Sequence, residues 1–138
     1  MTKILVALFL ISNIFKGSAY IENNRCFLSH TFHIYVINEL PPNSSLLVHC
    51  ASGNDDLGYH TLSPTQVFTW KFCENIFKTT LFFCHLWWGD KQNSFDAFES
   101  NYHWFRYHKF SWYARADGIY SDTDYSDDVI KRYDWANK

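Results

Sequence analysis

The amino-acid sequence predicts an all-β protein, a small antiparallel β-sandwich of about seven to nine short strands stapled by disulfides. Apolar and aromatic residues recur at every second position or in short runs, and turn-forming residues separate these runs at nearly regular spacing. Aromatic residues, which favour pleated surfaces, make up 20% of the 138 residues. No segment keeps a helical period over a long stretch, so the sequence favours a single β domain.

The N-terminus is predicted to be a secretory signal peptide, residues 1–19. A short basic start is followed by an apolar run over residues 4–11, and residues 17–19 are small, as a cleavage site requires. The apolar run is shorter than the roughly 20 residues that a membrane-spanning helix needs. We therefore predict that residues 20–138 form one secreted domain that is not embedded in a membrane.

Two strands are predicted on either side of a proline-rich turn. Alternating residues over 32–37 indicate the first strand, and residues 46–50 indicate the second. In the second strand, Cys50 is expected on the same face as Leu46 and Val48. The turn between the strands contains the sequon Asn43-Ser44-Ser45, which secretion makes available for N-glycosylation.

The middle of the chain alternates polar breaks with apolar strands. Residues 52–58 form the most polar and turn-prone segment of this half, and residues 59–62 are a short extended piece. Residues 66–72 are predicted to form a strand with three rings on one face. Residues 79–88 give the strongest strand pattern, with apolar residues at both parities. That pattern predicts a central strand covered on both sides.

Fewer elements are defined in the last third. Residues 94–98 and 110–114 read as strands, and Asp117-Gly118 is a hairpin signal that follows the second of them. Residues 129–135 are predicted to form the last strand. Residues 101–109 are rich in rings but show no clean period, so no element is assigned to them.

Four cysteines follow the predicted signal peptide. In an oxidising compartment an even number of cysteines indicates disulfides, and four cysteines allow three pairings, which remain open at this point. No C-x-x-C pair is present, and none of the seven histidines has metal-ligand spacing with a carboxylate. The sequence therefore predicts two disulfides and neither a metal nor a cofactor. The disulfide candidates are Cys26, Cys50, Cys73 and Cys84.

Catalysis and nucleic-acid binding are not predicted. The formal net charge of −2 does not indicate a nucleic-acid surface, and no Gly-x-Ser-x-Gly motif or phosphate-binding loop is present. Residues 122–127 start like a calcium loop but carry Asp127 where glycine is required. Asp55 and Asp56 lie among turn-formers, so they are interpreted as residues that bond their own backbone rather than as an acid–base pair.

One enzymatic alternative is kept. Residues 84–87 read Cys-His-Leu-Trp and invite comparison with secreted ribonucleases of the T2 type, whose motif is His-Gly-Leu-Trp-Pro. Here the glycine and proline are absent, and no second histidine motif follows. Phosphodiester cleavage by acid–base chemistry needs two imidazoles. His85 is therefore interpreted as a strand residue, and a ribonuclease-like or other defence hydrolase remains the alternative function.

Taken together, the motifs resemble the plant self-incompatibility protein S1 family, also called S-protein homologues. Asp55-Asp56-Leu57-Gly58 matches a family motif, Phe95-Asp96-Ala97-Phe98 is similar to its F-D-V-F, and residues 112–120 are similar to its W-x-x-x-x-D-G-x-Y. The resemblance covers nearly all of residues 20–138 in the same order. Further matching segments are residues 47–52, 60–62, 68–72, 79–84 and 87.

The resemblance implies a secreted β-sandwich with disulfides and no enzymatic activity. Founding members of the family act as pistil ligands for a pollen membrane receptor and arrest self-pollen. The implied function is a secreted signalling or recognition protein that binds a cell-surface receptor through loops. A structural or antimicrobial wall protein is a third class. Asn93 and residues 122–128 are secondary candidates for contact. The predicted partner-binding loop consists of Ser52, Gly53, Asn54, Asp55, Asp56 and Leu57.

The chain departs from the family pattern at one place. The family usually carries C-x-x-C just before the tryptophan that matches Trp112, and here those positions hold Tyr107 and Phe110. Cys50 and Cys84 match family cysteines. The resemblance therefore implies that the two additional cysteines replace the missing partners, with a direct bond between Cys50 and Cys84 as the second possibility.

Overall fold

The computed structural model describes Cys26 and residues 29–100, 107–124 and 126–138. The predicted signal peptide and most of residues 101–109 lie outside this part of the chain. All regular secondary structure in the described residues is β. The strands are β1 (Thr31–Asn38), β2 (Leu46–Ser52), β3 (Asp56–Leu62), β4 (Val67–Cys73), β5 (Leu81–Trp88), β6 (Lys91–Glu99), β7 (Lys109–Arg115), β8 (Gly118–Thr123), β9 (Ser126–Tyr133) and β10 (Ala136–Asn137).

The strands form two five-stranded sheets, as the sequence predicts for a sandwich. Sheet 1 has the order β4-β1-β7-β8-β9, and sheet 2 has the order β10-β6-β5-β2-β3. Neighbouring strands are antiparallel except for β1 and β7, which run parallel. The described residues thus contain ten strands rather than seven to nine. The extra one, β10, is two residues long and too short to leave a period in the sequence.

The core lies between the sheets and is dominated by phenylalanine rings. Alternate residues of β1 point inward, so Phe32 is buried while its neighbours face outward. Its ring centroid lies 4.6 Å from that of Phe98, and Phe72 lies 4.7 Å from Phe82 and 4.9 Å from Phe98. These rings come from β1 and β4 in sheet 1 and from β5 and β6 in sheet 2. Their packing therefore joins the two sheets.

The prediction for β5 is confirmed for its position in the sheet and wrong for the covering of its two faces. The strand is central in its sheet, between β6 and β2. Its even residues are buried, with Phe82 1% exposed, but Leu81 and Phe83 are 39% and 43% exposed. The expectation that both faces are covered is therefore wrong. The even-numbered residues from Phe82 to Leu86 are apolar because they form the core. The apolar odd-numbered residues Leu81 and Phe83 lie on the solvent-exposed face of the sheet.

Several local predictions are confirmed. Cys50 is buried on the same face as Leu46 and Val48. The Asp117-Gly118 signal closes the hairpin between β7 and β8, where Arg115 pairs with Gly118. A Cβ atom on Gly118 would lie 2.7 Å from the carbonyl oxygen of Tyr133. Glycine is thus required there by the close approach of β9.

The four cysteines form two disulfides. Cys50 and Cys84 face each other in register on β2 and β5, and Cys26 is bonded to Cys73 at the end of β4. The bonds close segments of 34 and 47 residues. In the chain-entropy model each closure lowers the entropy of the unfolded chain by an amount worth about 4 kcal/mol. The direct Cys50–Cys84 bond, the second possibility, is therefore the one present, and the expectation that Cys26 and Cys73 replace the missing partners of Cys50 and Cys84 is wrong, because these two cysteines bond each other.

Candidate recognition site

The predicted partner-binding loop is shorter in the structure than in the sequence pattern. β2 continues through Ser52 and β3 begins at Asp56, so only residues 53–55 connect the strands. Ser52 pairs with Phe82 of β5, and Asp56 pairs with Ala51 across a bulge in β2. Because β3 is an edge strand with one face in solvent, its first residues are polar without belonging to a loop.

Hydrogen bonds hold this turn closed from both sides. The amide of Ser52 donates to the carbonyl oxygen of Asp55 at 2.7 Å, and the amide of Asp55 donates to Oγ of Ser52 at 3.1 Å. Gly53 and Asn54 are exposed at the tip. The loop therefore presents two small residues on a backbone that its own contacts fix.

The two adjacent carboxylates of the loop have opposite environments. Oδ2 of Asp55 is buried and has no hydrogen-bond partner among the described residues, and burial raises the pKa of this carboxyl. Oδ1 of Asp56 accepts the amide of Gly58 at 2.9 Å and lies 2.7 Å from Nε2 of His49. The amide of Gly58 and then the His49 ring lower the pKa of Asp56. The Asp56 carboxylate thus bonds the local backbone, as turn chemistry predicts, whereas Asp55 holds the turn through its own amide and carbonyl oxygen.

Sequence reasoning missed a group of rings beside this loop, on the outer face of sheet 2. We call it the ring column, and it consists of His49, Tyr59, Trp87 and His85. The ring of Tyr59 stacks on His49 at 4.2 Å and lies 5.9 Å from Trp87, which stacks on His85 at 3.9 Å. These residues are far apart in the chain and meet only through the register of β2, β3 and β5. The sequence does contain a sign of this group, because aromatic rings occupy alternate positions of the strands, on the face that points away from the core.

The remaining predicted contact residues have structural partners. Nδ2 of Asn93 donates to the carbonyl oxygen of Asp134 at 2.7 Å and ties β6 to the C-terminal segment. Residues 122–128 are not an acidic loop but the β8–β9 hairpin, with Tyr125 outside the described residues. Asp122 accepts the hydroxyl of Tyr113 at 3.0 Å, and Asp124 accepts the amide of His108. Strand pairing explains why this segment is polar and still ordered.

The glycosylation sequon lies on an exposed turn. Asn43 has a φ of 68° and a solvent-exposed side chain between β1 and β2. At the position of the family C-x-x-C, Tyr107 and Phe110 place their rings 6.3 Å apart, and Phe110 is buried. Ring packing thus stands where the family has two cysteines.

A cavity of about 520 Å³ lies along the seam between β6 and the β8–β9 hairpin, in the size range of ligand sites. Its apolar floor includes Phe98, Phe110 and Trp112, and Arg132 and Tyr133 lie on one wall. Nε of Arg132 donates to Oγ of Ser121. The described residues contain no cluster of three metal-ligating side chains. They also contain no helix of the length and apolarity needed to span a bilayer.

Comparison with known proteins gives a consistent result. A family model described as plant self-incompatibility protein S1 matches residues 33–135. S-protein homolog 24 from Arabidopsis thaliana is 39% identical over 87 residues, which is 62% of this chain and 56% of that protein. S-protein homolog 29 from the same plant is 31% identical over 74% of this chain and 76% of its own length. For S-protein homolog 18, also from Arabidopsis thaliana, the values are 30%, 89% and 88%.

The fold also has a solved counterpart. A plant SPH protein, described as one of a widespread family of small, highly stable, secreted proteins, superposes with a TM-score of 0.65 and 22% identity. The superposition covers 79% of this chain and 97% of that protein. The match to the family model covers most of the described strands in order. The chain therefore belongs to the plant self-incompatibility protein S1 family.

Proposed function

We propose that this protein is a non-enzymatic secreted signal that binds a cell-surface receptor through loops at one end of its sandwich. The observation that carries the proposal is the turn at residues 53–55. Its backbone is closed by reciprocal hydrogen bonds, while Gly53 and Asn54 remain exposed. Variable loops on a rigid scaffold are a common way to build a recognition surface.

Within residues 52–57, we assign some side chains to contact with the receptor and others to holding the turn in place. Asn54 is exposed at the tip, and the side chain of Asp56 is 70% exposed. Ser52 and Asp55 hold the turn, so we assign them to support. Receptor contact is thus proposed for Gly53, Asn54, Asp56 and the edge of Leu57.

The proposal includes processing during secretion. Cleavage after Ala19 would leave a mature chain that begins at Tyr20, consistent with the small residues before that point. N-glycosylation of Asn43 is supported by its exposed position. Protein secreted from plant cells should lose mass on treatment with an N-glycosidase, and Asn43→Gln should already have the lower mass. An unchanged mass in both cases would contradict the glycan.

Binding to intact cells tests the function. Labelled mature protein should bind its target plant cells saturably, and an Asn54→Ala, Asp56→Ala double variant should bind at least about tenfold more weakly, since two interface contacts are lost. Asp90→Ala is the matched control, because Asp90 is an exposed acidic residue in the β5–β6 turn. Equal binding of both variants would contradict recognition through this loop. Absence of saturable binding to any plant cell would favour a structural or antimicrobial wall protein.

One observation favours the hydrolase as a second candidate. His49 and His85 are direct partners on β2 and β5, so the fold brings together the two imidazoles that the sequence did not show as a pair. Nε2 of each ring is already engaged, by Asp56 at 2.7 Å and by Gln92 at 2.9 Å. Incubation of purified protein with RNA is the test. Turnover that disappears in His85→Ala would establish the hydrolase and overturn the non-enzymatic function.

A further inference from the structure

The outer face of sheet 1 carries a row of basic side chains that crosses three strands. Lys71 on β4 pairs with His33 on β1, and His33 pairs with Lys109 on β7. All three lie at outward-facing positions, and both lysines are exposed. Neighbouring strands are about 4.8 Å apart, so the row spans about 10 Å of the face. We call these three residues the basic row.

Local contacts hold the middle of the row in place. The ring of His33 lies 4.4 Å from the ring of Tyr35, whose hydroxyl is 3.1 Å from Nδ1 of His33. Nζ of Lys109 sits 4.8 Å above the Tyr35 ring. A cation over an aromatic face is stabilised and loses side-chain freedom. The row is thus partly organised before any ligand arrives.

Among the described residues, no ion pair neutralises the positive charge of the row. Of the other cations on this sheet, Arg115 pairs with Glu39 at 2.8 Å and Lys131 pairs with Asp134 at 2.6 Å. No ion pair found among the described residues includes Lys71 or Lys109. Burial, and then Lys71 and Lys109, lower the pKa of His33. The two lysines thus disfavour a positive charge on His33 in the ligand-free protein.

The row has a defined border. Asp124 follows β8 on the far side of β7, where its backbone amide donates to the carbonyl oxygen of Lys109 and its carboxylate accepts the amide of His108. Asp124 thus places one carboxylate beside the end of the basic row, beyond β7. The basic row itself lies on the β4-β1-β7 half of the face, although the whole chain has a formal charge of −2.

We propose that the basic row binds an acidic polysaccharide of the extracellular matrix, through carboxylates spaced along a polyuronate chain. The row of three outward-facing side chains runs across the strands, so a linear polymer that lies across the strands can meet all three. Two ammonium groups and one imidazole complement a few successive carboxylates, but they fall short of the roughly 6–10 phosphate contacts of a duplex-binding surface. The 53–55 turn belongs to sheet 2 and stays free, so this site is separate from receptor recognition and does not depend on it.

Binding is expected to depend on pH. His33 is faced by Lys71 from β4, by Lys109 from β7 and by Tyr35 on its own strand. A bound carboxylate favours the protonated ring and so raises the pKa of His33 in the complex above its value in the free protein. Binding therefore takes up a proton, and affinity increases as the pH falls through the pKa of the complex.

Calorimetric titration with a defined oligogalacturonate, at low salt and pH 5.5, tests the site. We expect saturable binding that weakens with added salt. Lys71→Gln combined with Lys109→Gln should lower the affinity about tenfold, the effect of two exposed charge contacts. Lys91→Gln combined with Lys138→Gln removes the same charge beside sheet 2 and should leave the affinity within about twofold. His33→Gln should remove the pH dependence.

Several results would overturn the proposal. They are no binding of the oligomer, an equal loss in both lysine pairs, or equal binding of a fully methyl-esterified oligomer. Tighter binding of RNA or of anionic phospholipid vesicles would assign the row to another polymer or surface. Nuclear magnetic resonance of the unmodified protein gives a readout that needs no variant. The His33 ring signals should shift and its pKa should rise when the oligomer is added, and unchanged signals contradict the site.

Discussion

The two outer faces of the sandwich use the same backbone pattern for different chemistry. On sheet 1 the outward residues include cations and tyrosines, and Lys71, His33 and Lys109 line up across three strands. On sheet 2 they are rings that stack on one another from His49 to His85. The two lysines of the basic row are exposed to solvent, whereas the rings of sheet 2 stack on one another. The comparison separates the proposed polysaccharide site on sheet 1 from the ring column on sheet 2, whose stacking we expect to contribute mainly to stability, while the proposed receptor contact lies at the turn between β2 and β3.

The largest expected effect is the loss of stability when a disulfide is removed, and it should differ between the two disulfides. Chain entropy alone makes the 47-residue closure by Cys26 and Cys73 slightly the stronger one. Cys50 and Cys84, however, are fully buried within sheet 2, so replacing both by alanine also leaves a cavity. We expect Cys50→Ala with Cys84→Ala to lower the free energy of unfolding by about 5 kcal/mol, and the other pair by about 4 kcal/mol. Urea denaturation measures both, and the reverse order would mean that loop length dominates.

The next effect compares the two faces of one strand. Phe82 is 1% exposed and contacts Trp70 and Phe72, whereas Phe83 is 43% exposed on the outer face. Phe82→Ala should destabilise the fold by about 4 kcal/mol, and Phe83→Ala by less than about 1 kcal/mol. Thermal and urea unfolding of the two variants give the values. Similar losses would show that the outer face of β5 is covered after all.

A smaller effect tests the ring column. Tyr59 and Phe77 are both 64% exposed, but only Tyr59 stacks in the column. Tyr59→Ala should lower the free energy of unfolding by about 1 kcal/mol because ring contacts are lost, and Phe77→Ala should change it by less than about 0.5 kcal/mol. If urea unfolding gives equal values, the column contributes nothing beyond ordinary surface packing.

The smallest effects concern the two carboxylates of the β2–β3 turn and have opposite signs. The folded pKa of Asp55 is raised above 3.8, so its charged form opposes folding once the pH rises through that folded pKa. The folded pKa of Asp56 is lowered, so its contribution is present above pH 3.8 and lost below it. At pH 7, Asp55→Asn should therefore raise the unfolding midpoint and Asp56→Asn should lower it. Both differences should vanish near pH 2, and shifts of the same sign would contradict these environments.

Much of the fold could be predicted because its information is local. Alternation in β1 and the Asp117-Gly118 hairpin are readable from adjacent residues, and the structure confirms both. The parallel pairing of β1 with β7 could not be read, since nothing near either strand specifies a partner about 70 residues away. The end of the 53–55 turn was also missed, because polar residues at the start of an edge strand resemble a loop.

The candidate surfaces were less predictable than the fold. The ring column and the basic row each combine residues from three strands, and each exists only once register is known. By contrast, Cys50 and Cys84 could be named as a possible pair before their geometry was known, because the family resemblance marked both. The pattern of a single sequence thus predicts which side chains of a strand point outward. The strand order and register decide which outward side chains become neighbours.

The parallel pairing of β1 with β7 also imposes an order of assembly during synthesis. β2, β3, β5 and β6 are close in sequence, so sheet 2 can begin to form while the chain is still being translocated. β1 gains β4 early, but it waits for residues 109–115 before its other edge is covered. Until then that edge is open to pairing with another nascent chain. The time between the synthesis of β1 and that of β7 should therefore govern how much of this protein folds correctly rather than pairing with another chain.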